Sequence, residues 1–178
     1  MIERIKCNIV EVKDFPKPGV GFKDITPVVR DAACYRYSIV RLAAWAKRKR
    51  PQVIAGIESR GFLFAAPVAH RLGLGLTIIR KKGKLPRPTV TVRAPNEYAV
   101  EHFEMHADSL RPQERVVIID DLIATGSSSI SAIELVQKLG GRPVGFASLV
   151  ELSFLKGVEN IHKAHPDVDV FSLIRFEK

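Results

Sequence analysis

The chain has 178 residues, of which 46% are hydrophobic, and it carries a formal net charge of +9. This length favours one domain over residues 1–178, and the hydrophobic content is far from that of a disordered chain. No apolar run approaches the roughly 18 residues of a membrane-spanning helix, and the N-terminus lacks a signal-peptide core. Cys7 and Cys34 are too few for a disulfide scaffold or a zinc cluster. We therefore expect a cytoplasmic protein that has no membrane partner.

The positive charge fits two kinds of partner, nucleic acid or a small polyanionic substrate. Basic residues are scattered in short runs, and no aromatic residues are interleaved within them; the runs are residues 47–50 and 80–82 with Lys84, Arg87 and Arg93. No helix-turn-helix or zinc-finger signature is present. Phosphate chemistry on a small substrate is therefore favoured over nucleic-acid binding.

The N-terminal part of the chain predicts a helix, a loop and a second helix. Residues 2–12 are interpreted as a short helix that packs on the main body. Residues 14–27 contain three prolines and two glycines, which is typical of an irregular loop, and such long loops are often functional. Asp31 is placed to cap a helix that continues to about residue 49, with an apolar stripe along one side.

The middle and the end of the chain predict strands that alternate with helices, which favours a doubly wound α/β sheet. Residues 53–57 are apolar and are followed by the polar residues 58–61 and by a helix from Phe62. In a doubly wound sheet, such polar loops lie at the carboxyl edge of the parallel strands. Residues 81–98 are rich in Lys, Arg and Pro and predict a mobile loop. Further strands are predicted over residues 76–79, 88–92, 99–105, 116–119, 144–150 and 168–174.

Residues 116–129 are the most informative stretch of the chain. Four apolar β-forming residues predict a strand covered on both faces, and Asp120 and Asp121 follow at its carboxyl end. A loop of Thr, Gly and Ser then leads into a predicted helix, whose free N–H groups and dipole make an anion site. Gly126 lets the backbone approach that anion closely.

The two carboxylates lie too near such an anion to bind it themselves. They are suited to accept hydrogen bonds from sugar hydroxyls or to hold Mg²⁺, which prefers oxygen ligands. Phosphate binding on one side and diol acceptors on the other predict a pocket for a ribose 5-phosphate. The alternative interpretation is a polar helix start after an ordinary core strand.

This stretch resembles the phosphoribosyl-diphosphate-binding motif of the type I phosphoribosyltransferases. It is not a P-loop, because no Gly-Lys-Ser/Thr follows, and it is not a dinucleotide fingerprint, because the three-glycine spacing is absent. The resemblance extends over nearly the whole chain and is specific to the adenine phosphoribosyltransferases. It is carried by residues 14–16, 18–20, 22–25, 55–62, 79–86, 97–98, 120–126, 148–152 and 155–157.

The resemblance implies a fold and a reaction. The fold is a doubly wound, mainly parallel sheet flanked by helices, with a small N-terminal hood-like segment and a flexible loop. The reaction transfers the phosphoribosyl group of phosphoribosyl diphosphate to adenine in purine salvage, giving AMP and diphosphate, and it needs Mg²⁺. Family members are generally homodimers, and Arg80 with the basic loop that follows is a candidate for the shared edge.

The resemblance also assigns the residues of the site. For the 5-phosphate and the ribose they are Asp120, Asp121, Ala124, Thr125, Gly126, Ser127 and Ser128; for the diphosphate they are Glu58, Ser59, Arg60, Gly61, Arg80 and Lys84; for adenine they are Gly21, Phe22, Lys23 and Leu152. Glu97 and Arg60 are the implied catalytic residues. A carboxylate near N7 of the purine can accept the proton that the base loses, and a guanidinium fork can bear the charge of the departing diphosphate. Mg²⁺ is expected to be held mainly by the substrate, with Asp120 and Asp121 reached through water.

Three departures from the family pattern bear on these expectations. The family usually has a second glycine where Ser127 stands, and a non-glycine residue at positive φ is costly. Residues 99–103 differ from the family's usual glycine-rich acidic run, which bears on the movement of the loop. Arg87 replaces a more common glycine.

Two other functions remain open at this point. Hypoxanthine–guanine enzymes typically carry Asp where Ala124 stands, so the absence of that carboxylate favours adenine. The second alternative is a ligand-sensing regulator that keeps the fold and binds nucleic acid. The net charge of +9 is its only support.

Overall fold

The computed structural model describes residues 1–15, 17–19, 21–94 and 101–177. The helices are α1 (Ile2–Cys7), α2 (Thr26–Arg30), α3 (Ala32–Arg48), α4 (Phe62–Leu72), α5 (Ser127–Lys138) and α6 (Gly157–Ala164). The strands are β1 (Val10–Val12), β2 (Phe22–Asp24), β3 (Val53–Ile57), β4 (Gly75–Lys81), β5 (Thr89–Ala94), β6 (Glu101–His106), β7 (Arg115–Ile123), β8 (Arg142–Leu152) and β9 (Val170–Phe176). A short 3₁₀ helix, Ser153–Leu155, joins β8 to α6.

Seven strands form one sheet in the order β5-β6-β4-β3-β7-β8-β9. The five strands from β4 to β9 pair in parallel, while β5 and β6 add an antiparallel hairpin at the β4 edge. The chain runs outward from β3 to β4 on one side and continues from β7 on the other. The crevice for a ligand in such a sheet lies at the carboxyl ends of the strands where this reversal occurs. The predicted doubly wound, mainly parallel α/β sheet is confirmed.

The unbroken apolar runs reflect a sheet that is covered on both faces. All five residues of β3 are buried. In β7, Val117 and Ile119 pack into an apolar cluster with α3 and α4 on one face. Val116 and Ile118 pack into a second cluster with α5 and α6 on the other. Helices on both sides leave no face of these strands for polar residues, which explains why the sequence shows no alternation there.

The start of α3 is fixed by Asp31, as the sequence predicts. Its carboxylate accepts the N–H groups of Ala33 and Cys34 at 3.0 and 3.1 Å, a side-chain cap that satisfies two orphan donors. Arg4 donates to the same carboxylate at 3.0 Å through Nε and ties α1 to α3. The Cys34 N–H and the Arg4 guanidinium lower the pKa of Asp31 to about 2.

The N-terminal segment differs from the prediction. The predicted helix over residues 2–12 ends at Cys7, and Val10–Val12 instead forms β1, which pairs antiparallel with β2. The predicted loop over residues 14–27 is therefore wrong at Phe22–Asp24, which is β2, and α2 begins at Thr26. The two β-branched valines of β1 favour a strand once a partner is available. That partner lies twelve residues further along the chain, beyond the reach of a periodicity argument.

The basic segment after β4 is more regular than predicted. Residues 89–94 form β5, which pairs antiparallel with β6 along its whole length. The loop prediction is wrong for these residues. The strand predicted at 88–92 is observed as β5, and the strand predicted at 99–105 is observed as β6 for the part that the structure describes, from Glu101. Residues 95–100 lie outside the described part of the chain. In the part that the structure describes, no helix has the length and apolarity to cross a bilayer.

Candidate active site

The polar loops after β3 and β7 meet at the carboxyl edge of the sheet, as predicted. The two strands are adjacent and parallel, with Gly56 opposite Ile119, so their ends lie side by side. Between them lies a cavity of about 530 Å³. The predicted site residues that line it are Glu58, Ser59, Arg60, Lys84, Asp120, Asp121, Ala124, Thr125, Gly126, Ser127 and Ser128.

Five further residues line the cavity and are not singled out by the sequence: Ile57, Lys81, Phe103, Leu122 and Ser129. Lys81 lies between Arg80 and Lys82, and its place in this basic run could have predicted that it belongs to the site. From the sequence alone, Phe103 and Leu122 are indistinguishable from ordinary strand residues. Only the approach of β6 and β7 to the cavity gives them a place in the site.

The phosphate-type loop leads directly into α5. Gly126 has φ +86°, in the left-handed region that favours glycine, and α5 begins at the next residue. Ser127 is therefore the first helical residue, and it does not have a positive φ. The strain expected from the missing second glycine does not arise. No side chain caps this helix, so its first N–H groups remain available to an anion at the cavity.

The same loop is braced from behind by α6. A Cβ on Gly157 would stand 2.2 Å from the carbonyl oxygen of Ala124, so only glycine allows this approach. Asn160 donates through Nδ2 to the carbonyl oxygen of Thr125 at 3.0 Å. The sequence motif includes Gly157 but gives no role to Asn160, because the contact joins residues 35 positions apart.

Asp120 and Asp121 are both buried at the end of β7, with 7% and 6% of their surfaces exposed. Asp120 accepts the N–H of Asp121 at 2.8 Å through Oδ1. The Arg60 Nη2 atom lies 2.9 Å from the Asp121 Oδ2 atom. The two groups form an ion pair without the geometry of a hydrogen bond. Burial, and then the charge of Asp121, raise the pKa of Asp120 well above its usual range. Burial also raises the pKa of Asp121, against the opposing effect of Arg60.

Arg60 connects the carboxylate pair with the N-terminal segment. Its guanidinium carbon lies 4.6 Å from the centre of the Phe22 ring, within the range of a cation–π contact. Its Nη1 donates to the carbonyl oxygen of Lys23 at 3.3 Å. One side chain thus contacts β2 and the end of β7 at once.

Two of the predicted diphosphate residues, Arg80 and Lys84, form an ion-pair cluster around a third, Glu58. The Arg80 Nε atom lies 2.7 Å from Glu58 Oε2, and the Lys84 Nζ atom lies 3.7 Å from Glu58 Oε1. Glu58 is thus placed to balance two cations rather than to contact an anion itself. Neither Arg80 nor Gly61 lines the cavity; Gly61 lies behind it, against Asp120.

The predicted adenine residues lie beside the cavity and do not line it. Phe22 makes an edge-to-face contact with Phe15, with ring centres 5.1 Å apart. The Lys23 Nζ atom lies 2.8 Å from Glu11 Oε2 and 4.5 Å from the centre of the Phe176 ring.

The other two predicted adenine residues lie at the end of β8 and just before β2. Leu152 is the register partner of Phe176 across β8 and β9, which brings it to the same end of the sheet. Gly21 precedes β2 and is exposed. Glu97, the predicted proton acceptor, lies outside the described residues.

The sequence profile of the phosphoribosyl transferase domain matches residues 29–178. The chain belongs to the phosphoribosyltransferase family. A curated relative from Caldicellulosiruptor saccharolyticus, named adenine phosphoribosyltransferase, is 49% identical over 173 residues, which is 97% of each chain.

Solved structures of phosphoribosyltransferases resemble the fold closely. Adenine phosphoribosyltransferase from Thermoanaerobacter pseudethanolicus superimposes with a TM-score of 0.92 at 44% identity, over 99% of this chain and 100% of that one. The Giardia lamblia enzyme in complex with 9-deazaadenine gives a TM-score of 0.93 at 31% identity, over 99% and 98%. The resemblance predicted from the motifs is confirmed, as is the mostly parallel seven-stranded fold.

Proposed function

We propose that this phosphoribosyltransferase transfers the 5-phosphoribosyl group of phosphoribosyl diphosphate to adenine, giving AMP and diphosphate, as a step of purine salvage. The observation that carries the proposal is the cavity itself. It joins the uncapped start of α5 to a buried pair of carboxylates within one space of about 530 Å³. The relatives named above support adenine as the base.

The 5-phosphate belongs at the start of α5. Residues 124–128 line the cavity there, and the helix N-terminus supplies N–H donors and a favourable dipole. The hydroxyls of Thr125 and Ser127, whose oxygens lie 3.1 Å apart, add further donors. Asp120 and Asp121 then face the ribose, and their buried oxygens accept hydrogen bonds from its hydroxyl groups.

The diphosphate belongs on the opposite side, near Arg60 and Lys84. As the bond from C1 of the ribose to the diphosphate oxygen breaks, the electron pair leaves with the diphosphate and the ribosyl centre becomes positive. Preorganised cations stabilise the charge that develops on the leaving group. Glu58 keeps Arg80 and Lys84 in place before the substrate arrives, so little reorganisation is needed.

Adenine belongs between Phe22 and Leu152, next to the Arg60 guanidinium, with its edge read by the backbone at Gly21 and Lys23. N9 of the purine forms the new bond to C1, and the base then loses a ring proton. We assign the acceptance of that proton to Glu97, because a carboxylate near N7 is the group that this step needs. Arg60 contacts Phe22 and Asp121, so it is placed where the base and ribose meet.

Mg²⁺ fits this site together with the substrate rather than with the protein alone. Among the described residues there is no group of three or more side chains that could hold a metal ion. Mg²⁺ is usually bound by one or two carboxylates together with substrate phosphates. We infer that diphosphate oxygens hold the ion, with Asp120 and Asp121 reached through water. When bound, it supplies positive charge to the leaving group.

Two properties of the whole chain complete the proposal. We propose that residues 1–178 form one domain, since both apolar clusters share the same sheet. We also propose a cytoplasmic protein, because Cys7 and Cys34 are free thiols, as expected in a reducing compartment.

A base panel tests the function. The protein is incubated with phosphoribosyl diphosphate, Mg²⁺ and adenine, hypoxanthine or guanine, and nucleotide products are separated by chromatography. We expect AMP from adenine and little product from the other two, because no acidic side chain stands at Ala124 to act on N7 of an oxopurine. Comparable rates with hypoxanthine or guanine would reject adenine specificity. Absence of any nucleotide would reject the activity.

A further inference from the structure

One buried carboxylate near the cavity has no part in the chemistry described so far. Glu104 lies on β6 and is only 3% exposed. Its Oε1 atom accepts the N–H groups of Lys84 and Leu85 at 2.9 and 3.0 Å. Its Oε2 atom accepts the hydroxyl of Thr89 at 3.2 Å. A charge buried this deeply is costly unless it is satisfied, and here backbone N–H groups and a hydroxyl surround it.

The surroundings of Glu104 stabilise its charged form. Burial raises the pKa of this carboxyl group, but the N–H groups of Lys84, Gly83 and Leu85, with the Thr89 hydroxyl, outweigh burial and lower it. These N–H groups belong to a turn in which Gly83 has φ +86°. A turn whose N–H groups converge on an anion is a preformed site, and in this chain a side chain of the neighbouring strand fills it.

The turn in question carries one of the proposed diphosphate cations and contacts the other. Lys84 lines the cavity, and its carbonyl oxygen accepts Nη1 of Arg80 at 3.2 Å. Arg80 is also the register partner of Glu104 across β4 and β6. The backbone that Glu104 fixes therefore holds the side chains of Lys84 and Arg80 where both reach Glu58.

We propose that Glu104 is a positioning residue for diphosphate binding. It holds the turn at residues 83–85, and through that turn it holds Lys84 and Arg80 at the cavity. This inference rests on the proposed function. Without the carboxylate, the N–H groups of the turn lose their acceptor. The turn must then become ordered when the substrate binds, and this ordering weakens the binding.

A double-mutant cycle tests the proposal. Binding of phosphoribosyl diphosphate and of diphosphate alone is measured by calorimetry, and KM is measured for both substrates, in Glu104→Ala, Lys84→Ala and the double variant. We expect Glu104→Ala to raise KM for phosphoribosyl diphosphate about tenfold, while KM for adenine stays within about twofold. In the Lys84→Ala background the same change should raise KM by clearly less than it does in the wild type, because only the part of its effect that acts through Arg80 remains.

Two conservative variants guard against a simple loss of folding. Glu104→Gln keeps the length of the side chain and an oxygen for the two N–H groups, so it should restore binding to within about threefold of the wild type. Glu104→Asp keeps the charge but draws its oxygens back by one methylene. It should fold and still bind phosphoribosyl diphosphate more weakly than the wild type.

Glu114 offers a matched control. Its carboxylate also accepts a backbone N–H in a turn, that of Arg111 at 2.8 Å, but it does not line the cavity. Glu114→Ala should leave both KM values unchanged. The proposal is overturned if Glu104→Ala or Glu104→Asp binds like the wild type, if KM for adenine rises equally, or if the full loss persists without Lys84. A wild-type protein that binds diphosphate but makes no nucleotide refutes the proposed function instead, and the binding cycle still decides the role of Glu104.

Discussion

Asp120 and Asp121 place two carboxyl groups side by side in a buried position, and only one of them faces a cation. Arg60 forms an ion pair with Asp121, whereas the contact found for Asp120 among the described residues is the N–H of its neighbour. Keeping such a group costs free energy in the unliganded protein. Sugar hydroxyls would supply a donor to the buried Asp121 Oδ2 atom, which has no hydrogen-bond partner among the described residues, so the cost is offset when substrate binds.

Replacing Asp120 by Asn should separate stability from activity. The pKa of Asp120 is raised in the folded protein, so ionisation destabilises the fold at any pH above the unfolded value of about 4. Asp120→Asn should therefore match or exceed the wild-type Tm at pH 8, and this advantage should shrink as the pH falls towards 5. Its kcat/KM for phosphoribosyl diphosphate should fall by roughly tenfold or more, because a hydrogen bond to a charged acceptor is weakened. Scanning fluorimetry at both pH values and steady-state kinetics measure these effects.

Asp167 provides the control, since it is exposed and lies away from this cavity. Asp167→Asn should change neither the Tm nor kcat/KM for phosphoribosyl diphosphate. If Asp120→Asn kept full activity, the ribose assignment would be wrong. If it lowered Tm equally at both pH values, the carboxylate would be a structural acceptor instead.

At the scale of elements, α6 is short but determines the position of the phosphate-type loop. Lys156 has φ +56° and turns the chain so that Gly157 backs onto Ala124. A Cβ on Gly126 would in turn stand 2.6 Å from the carbonyl oxygen of Gly157. Loop and helix therefore approach each other backbone to backbone, and Asn160 bonds across them.

Adding one methyl group at this contact should be disproportionately harmful. In Gly157→Ala the new Cβ would meet the carbonyl oxygen of Ala124 at 2.2 Å, so the loop must move. Overpacking of this kind costs about 1–3 kcal/mol, and Tm should fall by several degrees. KM for phosphoribosyl diphosphate should rise more than KM for adenine, because the displaced loop binds the 5-phosphate. Kinetics and thermal unfolding measure the two effects.

Gly75→Ala is the matched control for this prediction. Its Cβ would meet only Val53, at an ordinary 3.9 Å, at the opposite end of β4 from the site. We expect wild-type values of both KM constants there. If Gly157→Ala also kept the wild-type KM values, the loop would tolerate displacement and α6 would not position it.

The residues that could be predicted from sequence are those whose signal is local. The apolar run at 116–119 followed by two Asp residues marks a strand end wherever it occurs, and the cap at Asp31 is equally local. The strand at Val10–Val12, the buried Glu104 and the brace from Asn160 could not be predicted. Each depends on a partner that the fold brings from ten or more residues away.

At the scale of the whole molecule, we predict that the chain self-associates. Leu63 on α4 and Leu76 on β4 are large apolar side chains that are 39% and 41% exposed. Arg80 and the basic turn follow on the same strand. The family resemblance makes Arg80 and this basic turn candidates for the contact between two copies of the chain.

The protein should therefore be a homodimer in solution. Light scattering on a size-exclusion column should give about twice the 19.8 kDa mass of one chain. Light scattering and activity are then measured at the same series of protein concentrations. If activity falls when the dimer dissociates, the dimer is the active form. A monomer with full specific activity would count against the dimer.

The arrangement of β1 and β2 has a consequence for ancestry. The profile shared across the family begins at residue 29, downstream of both strands. Three of the proposed base contacts, Gly21, Phe22 and Lys23, lie upstream of that point, whereas the sugar-phosphate contacts lie within it. A lineage that changes its nucleobase must therefore alter residues on both sides of residue 29, because Ala124 also bears on the choice of base and Arg60 contacts Phe22 and Lys23.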